Sequence, residues 1–170
     1  MAMRNIVKTG DDVLVCRPVT KFDQKLAILI EDMIETMHEA NGVGLAGPQV
    51  GILRQIVVIE VEEGKPIELI NPQIIEADGE QTGSEGCLSF PGVYGIVTRP
   101  NHVRVRAQDR NGEVFEAEGE ALLARAFCHE IDHLDGHMYT EFAEKMLTQE
   151  ELDELLKQEQ EAEEGEETEA

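Results

Sequence analysis

Between residues 23 and 40 the apolar side chains recur at Leu26, Leu29, Met33 and Met37, close to one stripe of a 3.6-residue helix, with Gly42 just past the end as a C-cap. The pattern then breaks. Gly42-Val43-Gly44-Leu45-Ala46-Gly47-Pro48-Gln49-Val50-Gly51 cannot continue a helix; its glycines let another chain approach the backbone closely. Residues 55–61 are apolar and β-branched, which predicts a strand. Residues 66–75 form another extended stretch, where Pro72 points to an edge or a bulge. Over residues 102–109, Val103, Val105 and Ala107 alternate with Arg104, Arg106 and Gln108, the signature of a half-buried strand. Asn111-Gly112 marks a hairpin turn into residues 113–117.

A second helix is predicted over 121–135, apolar on several sides, hence internal, and closed by Gly136. A third is predicted over 148–160, started by a Thr148-x-x-Glu151 capping box. Beyond Glu161 nearly every residue is acidic, which predicts disorder. No internal repeat is present. Helix, strands, buried helix and terminal helix make an α+β class. The expected architecture is antiparallel sheets around a central buried helix, with a compact unit over 1–147 and an acidic helix and tail over 148–170.

Composition narrows the function. The chain has 170 residues, 41% of them hydrophobic, a mean hydropathy of −0.29 and no apolar run near membrane-spanning length. No secretory signal is evident, so the expected address is the cytoplasm. Net charge is −22, and residues 141–170 supply half of it, with 13 acidic and 2 basic residues. Such a surface repels phosphate backbones and anionic membranes, so strong direct nucleic-acid binding is not expected. Three cysteines, Cys16, Cys87 and Cys128, do not make a disulfide framework; they leave thiols for metal or catalysis.

The strongest chemical signal is His129-Glu130-Ile131-Asp132-His133. On a helix, residues four apart sit one turn above each other, so both imidazoles project toward one point and can share a metal ion. Glu130 is then placed beside the activated water and can take its proton. A catalytic site needs a third protein ligand and an open position. Metallopeptidases that find it downstream would need a histidine three residues after Gly136, where Tyr139 stands; His137 is out of step. Cys87, flanked by turn formers in Gly83-Ser84-Glu85-Gly86-Cys87-Leu88-Ser89-Phe90-Pro91, is the alternative, against the ordinary fate of a free cysteine as a small buried hydrophobe. Two other readings compete. One is a zinc metallopeptidase cutting internal peptide bonds, which lacks its downstream ligand. The other is a structural zinc module with Cys128 as fourth ligand, although Cys128 is rotated about 100° from His129 on the helix.

Three separated stretches, Gly42-Val43-Gly44-Leu45-Ala46-Gly47-Pro48-Gln49, Glu85-Gly86-Cys87-Leu88-Ser89 and His129-Glu130-Ile131-Asp132-His133, together resemble the signature motifs of peptide deformylases, in the family's order and separations. The resemblance extends from Ile6-Val7-Lys8 to about Phe142. Gly47 stands where the family commonly has alanine, Cys128 where glutamine is usual, and Arg125 where the helix is often apolar.

The resemblance implies removal of the formyl group from N-formylmethionyl nascent chains at the ribosome. It implies one divalent ion on Cys87, His129 and His133, Fe2+ natively, with Zn2+, Ni2+ or Co2+ as substitutes. Glu130 would be general base and acid, with the Gln49 amide and the Leu88 N–H as oxyanion donors. Val43 and Gly44 would form the edge that pairs with the peptide, and Val43, Leu122, Arg125 and Ala126 would line the methionine pocket. Glu85 is open between an anchor for the loop and a surface charge. Oligomeric state is not legible.

Overall fold

The computed structural model describes residues 3–6 and 16–169; Val7 and Lys8 of the family-like start lie outside them. The first helix, α1 (Gln24–Glu39), begins where Asp23 Oδ1 accepts the Leu26 N–H at 3.1 Å, and it buries Leu26, Leu29, Met33 and Met37. Its end differs from the sequence expectation. The left-handed residue is Asn41 (φ 54°), not Gly42, and Gly42 donates back to the Met37 carbonyl at 3.0 Å. Gly42 has another use: a Cβ there would lie 2.8 Å from Leu88 Cδ1.

The glycine-rich segment folds as a short strand, β1 (Gly44–Ala46), and a 3₁₀ turn (Gly47–Val50). Next come β2 (Ile56–Ile59), β3 (Ile67–Asp78), β4 (Gln81–Cys87), β5 (Phe90–Arg99), β6 (His102–Gln108) and β7 (Val114–Glu120). They are followed by α2 (Leu122–Leu134), β8 (Lys145–Thr148) and α3 (Gln149–Glu169). All pairings among these strands are antiparallel, in a five-stranded sheet ordered β1-β2-β3-β6-β7 and a three-stranded sheet ordered β4-β5-β8. Helix α2 packs on β1, β2, β6 and β7 of the larger sheet and on β5 of the smaller, so the expected central buried helix is present. β4 and β5 are not foreshadowed, because their glycines break the alternation that marks a strand.

The uninterrupted apolar run of β2 has a simple cause. Ile56 and Val58 belong to one apolar cluster with Ile30 and Met33 of α1 and Leu45 of β1, whereas Val57 and Ile59 belong to another with Phe127 and Ala124 of α2. All four are fully buried, which is the pattern of a strand covered on both faces. Helix α2 closes with Gly136 at φ 79° and the His137 N–H on the Asp132 carbonyl at 2.9 Å. Helix α3 starts from the expected Thr148 cap, with the Glu151 N–H 3.3 Å from Thr148 Oγ1. It runs on to Glu169, past Glu161, through residues dominated by Glu, Gln and Ala, which are good helix formers. Among the described residues no helix is long and apolar enough to cross a membrane.

Pro72 sits at a bulge, as its sequence position suggests, but in an interior strand rather than an edge. The register of β3 against β6 shifts between Ile70 and Gln73. Asn71 makes this possible by adopting φ 52°. Its Oδ1 accepts the Val19 N–H at 2.8 Å, and its Nδ2 donates to the Val19 carbonyl at 2.9 Å and to Gln108 Oε1 at 2.8 Å. Replacing Asn71 by alanine removes these bonds and puts a Cβ without local compensation in the left-handed region. It should lower unfolding free energy by about 2–4 kcal/mol. Asn71→Gly should recover about 1 kcal/mol of that in urea denaturation, and equal stability of the two variants would contradict the assigned backbone cost.

Candidate metal centre

Two periodicities meet at the centre. Along β4 the side chains of Gly83, Glu85 and Cys87 share one face, and burial alternates accordingly, with Glu85 and Cys87 buried and Ser84 and Gly86 exposed. Along α2, Arg125, His129 and His133 succeed one another at four-residue intervals. Cys87 Sγ lies 3.5 Å from His133 Nε2, and the two imidazole Nε2 atoms lie 3.3 Å apart. One ligating atom from each of Cys87, His129 and His133 falls within 4.8 Å of the others. The structure therefore brings together the three residues that spacing alone left for comparison.

The protonation chemistry fits a cation among them. Glu85 Oε1, an acceptor only, lies 2.8 Å from His129 Nδ1, so that nitrogen carries a hydrogen and Nε2 is the nitrogen turned toward His133. His133 is driven down to about 3 by burial and by positive charge on His129, and so it is neutral. Burial, the largest influence on His129, opposes its charge, yet hydrogen bonds to Cys87 and Glu85 raise it to about 10. In the metal-free protein the proton on His129 supplies the positive charge that these acceptors call for, and an ion bound at Nε2 would take that proton's place. Cys-His-His is a donor set suited to a divalent transition metal with an open position.

Glu130 stands beside this trio, with Oε1 3.9 Å from His129 Nε2. Its Oε2 is buried with no hydrogen-bond partner, an uncommon state for a carboxylate oxygen. Burial lifts the group to about 7. The space for it is made by Gly44, where a Cβ would lie 2.7 Å from Glu130 Oε1.

Gln49 is 4% exposed, and its orientation is fixed: Oε1 accepts the Ala46 N–H at 2.9 Å, which turns Nε2 toward Cys87 Sγ (3.2 Å) and Ser89 Oγ (3.4 Å). Leu88 lies in the tight connection between β4 and β5, where Cys87 pairs with Phe90. A cleft of about 560 Å³ opens from the centre, lined by Val43, Gly44, Leu88, Leu122 and Ala126 among others. It opens beside β1 and β4, the outermost strands of their sheets.

At this point comparison with known proteins decides the family. Residues 3–149 match the model of the polypeptide deformylases. The chain belongs to the polypeptide deformylase family. It is 62% identical to a peptide deformylase of Agathobacter rectalis over 149 residues, which is 86% of this chain and 94% of that protein. Against a peptide deformylase of Lachnoclostridium phytofermentans it is 59% identical, covering 83% and 89%. Among solved structures, the peptide deformylase of Thermotoga maritima superposes with a TM-score of 0.81 at 42% identity, covering 84% of this chain and 99% of that one. The Synechococcus elongatus enzyme in complex with actinonin gives 0.80 at 39%, covering 92% and 87%.

The residues that compete with a deformylase reading are accounted for. Tyr139, where a metallopeptidase would need a histidine, is buried and stacked on His129 with ring centroids 5.8 Å apart. His137 is exposed and pairs with Glu141. Cys128 packs into the apolar core with Phe127 and Ile131, outside the trio, and burial raises its thiol to about 11.

What sequence reasoning left undecided is Glu85, and what it missed is Arg99. Glu85 is buried and receives Arg99 Nε and Nη2, each at 2.9 Å, Arg125 Nη1 and His129 Nδ1; Arg99 Nη1 also reaches Asp132 at 2.6 Å. Burial works against the Glu85 charge, but His129 and Arg99 hold its pKa down to about 2. The one sequence signal was its spacing, two residues before Cys87 and hence on the same strand face. Glu85→Ala would leave two buried guanidinium groups short of a partner. The expected loss in urea denaturation is about 3–5 kcal/mol, and a loss under 1 kcal/mol would show the network to be dispensable for stability.

Proposed function

We propose that this chain hydrolyses the formyl group from the N-terminal methionine of nascent polypeptides, releasing formate and a free amine. The observation that carries the reading is the partnerless, buried Oε2 of Glu130 held beside the Cys87–His129–His133 cluster. A carboxylate kept dry next to a donor set of that kind is placed to move a proton. Cys87, His129 and His133 would hold one divalent ion, Fe2+ in the native state, with Zn2+, Ni2+ or Co2+ able to substitute. Such an ion supplies Lewis acidity, making a water acidic near neutral pH and polarising the formyl carbonyl.

Glu130 takes the proton of the attacking water and later delivers it to the departing amine nitrogen, so water and amide become formate and amine. Gln49 Nε2, pinned from behind by the Ala46 N–H, donates to the oxygen that gains charge in the tetrahedral state, and the Leu88 backbone N–H is the second donor. The peptide lies extended along the open edge at Val43 and Gly44, strand against strand. The methionine side chain enters between Val43, Leu122 and Ala126, whose aliphatic surfaces line the cleft, while the stem of Arg125 completes the wall. The substrate reaches the chain as it leaves the ribosome, in the cytoplasm.

The direct test is formate release from a formyl-methionyl peptide by the chain loaded anaerobically with Fe2+, compared with Zn2+ loading and with casein as an alternative substrate. Formate release that is faster with iron, without casein cleavage, is expected; casein cleavage without deformylation would overturn the reading. Gln49→Ala should slow turnover about a hundredfold or more, because one oxyanion donor is worth about 2.7–4 kcal/mol of barrier. Its metal content, measured by atomic absorption, should stay at one ion per chain, and undiminished turnover would remove Gln49 from the mechanism.

A further inference from the structure

Four donors converge on Glu85, and they divide by element. From β5, Arg99 sends Nε to Oε2 and Nη2 to Oε1. From α2, His129 sends Nδ1 to Oε1, and Arg125 sends Nη1 to Oε2. Arg99 therefore ties the carboxylate to its own sheet and, through Asp132 at 2.6 Å, indirectly to α2, whereas His129 and Arg125 bond it to that helix directly. Arg125 lies one turn before His129 on the same helical face, and its guanidinium is nearly inaccessible to solvent. It makes a further bond to the Val97 carbonyl at 3.1 Å and passes the face of Gly83, where a Cβ would meet Nη2 at 3.3 Å. The charges balance: Glu85 and Asp132 against Arg99 and Arg125.

We propose that Arg125 is a positioning residue for the metal centre: by gripping Oε2 of Glu85 from α2, it sets the height of that helix against β4, and hence the placement of the His129 ring relative to Cys87. The proposal rests on the reading of Cys87, His129 and His133 as the ion's ligands. With Arg125 gone, the direct bonds from α2 to the Glu85 carboxylate fall to the single one from His129, which must also orient its own ring, and the other polar link is the indirect one through Arg99 and Asp132. A ligand whose orienting partner is loosened binds its ion less well, by about tenfold or more. The aliphatic stem, which faces the cleft, is a separate matter from the charged head, so the two can be tested apart.

The experiment uses the full chain loaded with Co2+, following the visible absorption bands and the rate of ion release into a chelator. In the unmodified chain a thiolate-to-cobalt band, lost in Cys87→Ser, is expected. Arg125→Met, which keeps an aliphatic stem and removes the head, should shift the ligand-field bands and release the ion about tenfold faster. Arg106→Met, which removes a cation from the outer strand pair with Glu116, should leave both unchanged. Should Arg125→Met not fold, Arg125→Lys decides, since it loses the Val97 bond and the planar grip; release at least about threefold faster than the unmodified chain is expected. Unchanged bands and release in the Arg125 variant, or equal acceleration by Arg106→Met, would overturn the proposal alone. An unmodified chain with no thiolate band would overturn the reading of the centre and the proposal with it.

Discussion

The centre depends on one coincidence of repeat lengths, locked by one carboxylate. Two residues along a strand advance about 6.7 Å, and four residues along a helix advance about 6 Å, so a strand and a helix lying side by side stay in step for two or three contacts. Here the strand offers Gly83, Glu85 and Cys87, and the helix offers Arg125, His129 and His133. Glu85 fixes the phase because it is bonded to Arg125 and to His129 at once. A slip of one residue along β4 would turn Cys87 to the opposite face, and no adjustment of rotamers would restore it.

Around this lock the two sheets divide the labour. The larger sheet fixes α2 from one side: Val57, Ile59 and Val105 meet Phe127 and Ala124 without polar atoms, so the helix has no freedom to roll. The smaller sheet brings Cys87 from the other side on a strand rich in glycine. The first signature stretch joins them. Its Gly44 admits the Glu130 carboxylate, and its Gln49 reaches across to Cys87. Glycine at 44 thus answers a steric demand from inside the molecule as well as any approach by substrate from outside.

Features set by local spacing were legible in the sequence: α1 and its stripe, the β2 run, the alternating β6, α2 with its closing glycine, and the pair of histidines one turn apart. These depend on contacts between near neighbours, and the chain states them directly. β4 and β5 were not legible. Glycines at 83, 86, 92 and 95 erase the alternation of side chains, and the reason for two of them is distant: a Cβ at Gly86 would meet the Tyr94 ring, and one at Gly95 would meet Ala143 and Tyr139. Arg99 and Glu85 look like surface charges for the same reason. Their partners are 14 residues apart in sequence or further, so only the assembled fold reveals that they are buried. The resemblance pointed to Cys87, His129 and His133; the geometry shows what holds them together.

The proposed trio of Cys87, His129 and His133 leaves a fourth position open, and the core shows what keeps other side chains out of it. A fourth protein ligand would close the centre and make it structural. The nearest thiol, Cys128, is consumed by the apolar face of α2 and cannot turn toward the histidines without unpacking Phe127 and Ile131. The ring of Tyr139 lies flat against His129 and spends its hydroxyl on the Val93 carbonyl, which leaves no donor on that flank. The flank that stays open is the one where Gly44 contributes no side chain and Glu130 waits with an unshared oxygen. The opening is therefore enforced twice, by apolar packing that withdraws one candidate and by stacking that occupies the place of another. It faces the cleft beside the outermost strands, where an extended chain can reach it.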